Sequence, residues 1–247
     1  MQKAQRLDHI LVERGFYETR SRARDAVMRG AITIDGVVST KAGAKVSAAS
    51  EIMVQDHAQA YVSRAALKLV SALDTFSLDP ENLACLDLGA STGGFTQVLL
   101  QHGATHVFAV DVGHGQLVPE IADHPRVTSL EKLNARDLTL AHLDNQAPQL
   151  VVSDMSFISL KLAAEPALNL ASAGAQCVLL VKPQFEVGRP KIGKGGLVSN
   201  ADAQNCVEDL RMWLDALPAW NSIGIAPSPI TGGDGNSEFL LVGSKDG

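Results

Sequence analysis

The stretch ACLDLGASTGGFTQVLL, residues 84–100, decides the fold. An apolar run closes on Asp87 and Leu88, a glycine-rich turn follows, and the residues after it are fit to open a helix. A strand, a loop and a helix in that order bring bare backbone close to a small ligand, because Gly89, Gly93 and Gly94 put no side chain in its way. A second apolar run, residues 106–110, closes on Asp111. That acid follows the loop by about 20 residues, the spacing at which a carboxylate takes a ribose diol in doubly wound nucleotide folds. The glycines fall as G-A-S-T-G-G, so the dinucleotide fingerprint G-x-G-x-x-G is absent, and no Lys-Ser/Thr pair follows a glycine in the P-loop manner. An acid at the strand end, Asp87, is a poor neighbour for phosphate. It suits a ligand with an amino group or positive charge, such as S-adenosylmethionine (AdoMet).

A helix is expected over residues 63–76, and apolar strands over 85–88, 106–110, 150–153, 177–181, 222–226 and 239–242. Helical stretches separate the first four strands. Such alternation means an α/β fold with a mostly parallel sheet, Rossmann-like and covered by helices on both faces. Ligands of these sheets bind beyond the carboxyl ends of the strands. Asp87, Asp111 and Lys182 stand at such ends, and Asp154 directly follows a fourth.

The first quarter of the chain reads differently. Residues 1–68 hold 11 Lys/Arg against 7 Asp/Glu, whereas residues 69–247 hold 10 against 20. A basic module on an acidic body suggests an arm for a polyanion. Residues 6–56 suggest a short helix stopping at Gly15, an arginine-studded helix over 19–29 stopping at Gly30, and a hairpin turning at Asp35-Gly36. A last strand is expected at residues 52–54. The text RLDHILVERGFYETRSRARDAVMRGAITIDGVV resembles the S4 RNA-binding domain. The resemblance implies that Arg6, Arg20, Arg22, Arg24 and Arg29 contact structured RNA, since a guanidinium fork grips phosphate oxygens in pairs. Aromatic residues are few here, which favours recognition of RNA shape and backbone over stacking on single strands.

Four motifs carry chemistry. YVSRAALKL holds Lys68, SDMSFISL holds Asp154, LLVKPQFE holds Lys182 and GGDGNSEFLL holds Glu238. Lys182 stands out, because a lysine joined to VLLV is withdrawn from water, and a desolvated lysine can serve as a base. Taken in order with LDLGASTGGFT and DVGHGQL, these motifs resemble the TlyA family, an S4 domain joined to an FtsJ-like ribose 2′-O-methyltransferase, from about Arg6 to Val242. The chain departs from that pattern at Ala65-Ala66, where the family often has two glycines, at Ser91-Thr92, and at His114, where it often has tyrosine.

The resemblance implies two domains, an S4-like unit over residues 1–58 and an AdoMet-dependent methyltransferase over 59–247. It implies a catalytic tetrad of Lys68, Asp154, Lys182 and Glu238. Lys182 would be the general base, oriented by Asp154. Lys68 and Glu238 would position the attacking hydroxyl. The cofactor would meet Asp87, Gly89, Ser91, Thr92, Gly93, Gly94, Phe95, Asp111, Val112, Asn134 and Asp154. RNA would also meet Arg64 and the loop GRPKIGKGGLVSN through Arg189, Lys191 and Lys194, the loop acting as a lid that orders on substrate. The implied partner is ribosomal RNA or a ribosomal subunit, with cytidine the usual target.

Composition excludes other classes. The three cysteines, Cys85, Cys177 and Cys206, have no metal-ligand spacing and their odd number argues against a disulfide framework, so no metal is expected. The seven histidines are dispersed and are assigned no catalytic part. Neither a secretory leader nor an apolar span is evident, and the expected location is the cytoplasm. Two alternatives accompany the enzyme reading: a membrane-active haemolysin, a label this family carries, and a non-catalytic RNA-binding factor that keeps the cofactor pocket.

Overall fold

Leu86, Leu88, Phe108 and Val110 alternate with Cys85, Val107 and Ala109, and both sets are buried, so the strands they form are covered on both faces. The computed structural model describes residues 4–247, which divide into two compact units, 4–60 and 61–247.

The second unit follows the order α3 (Ala66–Phe76), β6 (Ala84–Leu88), α4 (Gly94–Gln101), β7 (His106–Asp111), α5 (Pro119–Ala122), β8 (Val127–Glu131), β9 (Leu150–Ser153), α6 (Leu160–Ala163), α7 (Glu165–Leu170), β10 (Gln176–Val181), α8 (Pro183–Glu186), α9 (Asn200–Ala216), β11 (Trp220–Pro227) and β12 (Phe239–Lys245). Seven strands form one sheet in the order β11-β12-β10-β9-β6-β7-β8. β12 runs against both its neighbours, and the five strands from β10 to β8 are parallel. The strand order reverses between β6 and β9, where a ligand crevice belongs. On one face, α3 and α4 bury Leu69, Leu73, Val98 and Leu99 against Val107, Val152, Val178 and Leu240. On the other, α6, α7 and α9 bury Leu160, Leu168, Val207 and Leu210 against Leu86, Phe108, Leu179 and Leu241.

The six strands expected from apolar runs are all present. β8 is the strand that apolar runs do not announce: it lies at the sheet edge, and VTSLE is only half-buried.

The first unit comprises β1 (Gln5–Arg6), α1 (Leu7–Glu13), α2 (Arg20–Met28), β2 (Ile32–Ile34), β3 (Val37–Ser39), β4 (Lys45–Val46) and β5 (Ile52–Val54). β2 pairs antiparallel with β3 and β5, and β1 pairs with β4. Thr19 caps α2 by accepting from the Arg22 amide. Asp35 and Gly36 both have positive φ, as the two-residue turn between β2 and β3 requires. Leu7, Leu11, Ala23, Val27 and Ile32 form the centre of a small core.

Candidate active site

β10 is apolar and buried from Cys177 to Val181 and ends abruptly, because Pro183 cannot extend the ladder but is well suited to the first turn of α8. Lys182 occupies the corner between them. β12 pairs with β10 so that Val181 faces Phe239, and this register sets Glu238 next to Lys182. β9 pairs with β6 so that Leu88 faces Ser153, which brings Asp154 level with the glycine-rich loop. Gly89 is obligatory there. Its φ is +80°, and a Cβ would meet the Met155 sulfur at 2.9 Å and the Asp154 carbonyl oxygen at 3.0 Å.

These strand ends, together with α3, assemble four charged side chains from remote parts of the chain. Lys68 Nζ lies 2.7 Å from Glu238 Oε2 and 3.5 Å from Asp154 Oδ2. Lys182 Nζ lies 2.5 Å from Asp154 Oδ1 and donates to Ser156 Oγ at 2.8 Å. Lys68, Lys182 and Glu238 are buried, and Asp154 is nearly so. Two ammonium groups thus alternate with two carboxylates in a chain, and neither acid is left without an opposite charge. Unpaired, each would carry a large desolvation cost.

The tetrad borders two cavities. The larger, about 510 Å³, is walled by Gly89, Ser91, Asp111, Val112, Asn134 and Asp154, among others. The smaller, about 160 Å³, is walled by Thr92, Gly94, Phe95, Asp154, Ser156 and Lys182, among others. Asp111 is held rigidly, with its carboxylate accepting from the Ser91 amide at 2.8 Å and the Gly113 amide at 2.7 Å. The larger cavity is of the size that small-molecule ligands occupy. Its glycine floor, fixed carboxylate and asparagine fit a nucleoside bearing a cationic centre. Gly89, Ser91, Asp111, Val112, Asn134 and Asp154 could hold such a ligand.

Two residues expected at the cofactor stand elsewhere. Asp87 is fully buried and lines neither cavity; it accepts from Thr96 Oγ1 at 2.7 Å and ties the strand end to α4. Burial pushes its carboxyl up to about 7. Gly93 is a packing position, since a Cβ there would meet Ile121 and Leu117 at 3.0 Å.

Sequence reasoning missed Ser156, Phe157 and Glu186. Ser156 and Phe157 lie within SDMSFISL beside Asp154, and Glu186 closes KPQFE. Glu186 accepts from Ser159 Oγ at 2.6 Å and the Leu160 amide at 2.7 Å, fastening the Asp154 loop to the Lys182 corner. Phe157 packs its ring on Phe185, with centroids 5.0 Å apart, and is 90% exposed with φ +65°. A left-handed backbone is strained for phenylalanine, so the surrounding loop holds it there.

The basic residues divide as well. Arg6, Arg20 and Arg24 are exposed and share one cavity of about 680 Å³ in the first unit. Arg22 lies 4.0 Å from Glu18. Arg29 is turned inward: its side chain is only 16% exposed, and one terminal nitrogen donates to both oxygens of the buried Asp56 carboxylate at 3.0 and 2.9 Å. Tyr17 donates to the same carboxylate at 2.8 Å. Arg64 is half-buried, with its guanidinium beside the turn at Gly233. Arg189, Lys191 and Lys194 are exposed, and Lys191 pairs with Asp202 at 3.4 Å. The far end of their loop is tied to buried Asn236, which accepts from the Val198 amide and donates to the Gly196 carbonyl, both at 2.9 Å.

All three cysteines are buried free thiols, and burial pushes each up to about 12, which makes them inert. Among the described residues, no cluster of His, Cys, Asp and Glu is arranged to hold a metal, and no helix is long and apolar enough to cross a membrane.

Comparison with known proteins adds names to this geometry. Residues 61–245 match the FtsJ-like methyltransferase family and residues 5–52 the S4 domain. The chain is 42% identical over 244 residues to the 16S/23S rRNA (cytidine-2′-O)-methyltransferase TlyA of Mycobacterium tuberculosis, covering 98% of this chain and 90% of that one. It is 37% identical to Hemolysin A of Brachyspira hyodysenteriae, covering 95% and 98% of the two chains. A solved structure of a hemolysin-named protein from Streptococcus thermophilus superimposes with a TM-score of 0.75 at 38% identity, over 100% of this chain and 90% of that one.

Proposed function

Because this chain belongs to the TlyA family of S4-domain, FtsJ-like methyltransferases, we propose that it methylates the ribose 2′-hydroxyl of cytidine in ribosomal RNA, using AdoMet. The observation that carries this reading is the assembly of Lys68, Asp154, Lys182 and Glu238 into one buried charge chain beside a nucleoside-sized cavity.

A ribose hydroxyl is a weak nucleophile, and its attack on a methyl group is aided by a base within hydrogen-bond reach. Lys182, once it has released one proton to solvent, takes the hydroxyl proton on its free lone pair and returns to the ammonium form. Two directions of its amine are occupied by Asp154 and Ser156, which aims what remains at the smaller cavity. Asp154 faces the charge that Lys182 gains. Lys68, bound between Glu238 and Asp154, fixes both carboxylates so that the chain does not relax as charge moves. AdoMet, when bound, supplies the electrophilic methyl group. Phe157 offers an exposed flat face beside the larger cavity, suited to a splayed-out base. In this reading residues 1–58 and the loop bearing Arg189, Lys191 and Lys194 contact RNA, and residues 59–247 carry the chemistry. The expected place of work is the cytoplasm, where ribosomes are.

The test is methylation of rRNA and of isolated subunits by purified protein with labelled AdoMet, followed by mapping of 2′-O-methyl sites. Transfer to a ribose hydroxyl supports the reading, and transfer to a base nitrogen or none at all overturns it. Liposome leakage run alongside distinguishes the activity implied by the hemolysin names, which neither the tetrad nor any described helix supports.

A further inference from the structure

The first unit contains a carboxylate that works against its apparent purpose. Asp8 is buried at 3% exposure on the wall of the cavity lined by Arg6, Arg20, Arg24, Ser21 and Gly43. If that face only needed positive charge for a polyanion, an acid on it would weaken binding. A buried carboxylate is also costly unless it is fully paired.

Its contacts explain it. Arg6 donates from Nε to Asp8 Oδ1 at 3.0 Å and from a terminal nitrogen to Oδ2 at 2.9 Å. Arg20 donates a terminal nitrogen to the same Oδ2 at 3.0 Å. The two arginines come from different elements, one at the end of β1 and one opening α2, and the carboxylate fixes both in one frame. Their side chains remain 50% and 57% exposed. A guanidinium has five N–H donors, so three on Arg6 and four on Arg20 are free of Asp8. Gly43 leaves room for this, since a Cβ there would come within 3.1 Å of the Arg6 guanidinium. The side-chain hydrogen bond from Arg6, aided by Arg20, holds the Asp8 carboxyl down at about 2, so it stays ionised throughout the physiological range. With Arg24 exposed on the same cavity, three cations face one fully paired acid. The surplus is positive and arranged as planar forks, the geometry that takes paired phosphate oxygens.

We propose that Asp8 is a positioning residue that sets Arg6 and Arg20 as a double fork for the phosphodiester backbone of RNA. The proposal rests on the RNA-methylating reading above and assigns to this site the backbone rather than the bases.

Charge alone and positioning predict opposite signs, which makes the experiment decisive. Binding of purified 23S rRNA to the full chain is measured across a salt series for wild type, Asp8→Asn and Arg20→Lys. Asp8→Asn makes the face more positive, so Coulomb attraction predicts tighter binding. Positioning predicts binding weakened by about tenfold and a log–log salt slope smaller by about one contact. Arg20→Lys keeps the charge and leaves the Arg6–Asp8 pair in place, yet loses the planar fork, and is expected to weaken binding several-fold. AdoMet affinity should be unchanged in both, since that cavity is built from other residues. Thermal melting checks folding; if Asp8→Asn does not fold, Arg20→Lys decides. Wild-type affinity in a folded Asp8→Asn protein, tighter binding by it, or wild-type affinity in Arg20→Lys overturns the proposal. Failure of the wild-type chain to bind rRNA would overturn the methylation reading itself, and the fork with it.

Discussion

Replacing Lys182 by arginine separates a proton-accepting role from a purely electrostatic one. The guanidinium remains protonated at any working pH, so it can pair with Asp154 but cannot take a proton. A positioned general base contributes about 10²–10⁴ in rate, or about 3–5 kcal/mol of barrier. Lys182→Arg should lose that much in a single-turnover methylation assay. Lys182→Ala should lose a similar amount, because Asp154 keeps Lys68 at 3.5 Å and the site does not collapse. The position is 91% buried, so the larger side chain also strains its surroundings, at about 1–3 kcal/mol of stability. Melting and AdoMet affinity must therefore be measured on each variant. If Lys182 acts by charge, the arginine variant keeps most of its rate and only the alanine variant fails. A folded, cofactor-binding Lys182→Arg protein within about threefold of the wild-type rate would falsify the base assignment.

Three further perturbations test other parts of the site. Asp111→Ala removes a charged acceptor from the cavity wall and should weaken AdoMet binding by about 1.5–3 kcal/mol in calorimetry; unchanged affinity would remove Asp111 from the site. Asp87 has a carboxyl raised to about 7 by burial, so its contribution is fully present below its unfolded value of 3.8 and is lost as pH rises through about 7. Asp87→Asn should flatten the fall in stability between those limits, by at most about 4 kcal/mol, and denaturant titrations at pH 4 and pH 8 that show no flattening would contradict the assignment. Arg29→Ala leaves Asp56 buried without its cation and should cost about 3–5 kcal/mol of stability in the first unit, with calorimetric melting as the check. A loss of RNA affinity without any loss of stability would return Arg29 to the RNA-binding face.

Local chemistry was legible in the sequence wherever a residue's task depends on its near neighbours. The apolar runs ending in acids specified the parallel strands, because strands buried on both faces must be continuously hydrophobic. The apolar run VLLV marked Lys182 as a lysine withdrawn from water. Asp35-Gly36 marked a hairpin, and Thr19 or Ser21 a helix start, of which Thr19 is the cap. Edge strand β8 was not legible, since a half-solvated strand needs no apolar run. The tetrad residues could be named from ordered motifs, but their contacts could not be. Lys68 and Glu238 meet at 2.7 Å although 170 positions separate them, and they meet because Val181 registers with Phe239 while α3 packs beside β12. Tertiary structure alone decided which charges are spent internally. Arg20 opens α2 and Arg29 caps its end, and they read alike in the sequence, yet Arg29 is drawn onto the buried Asp56 carboxylate and Arg20 stays half-exposed above Asp8. The physical reason is that burial and ion pairing are set by what distant segments bring to the same place, whereas the arginine itself is identical in both settings.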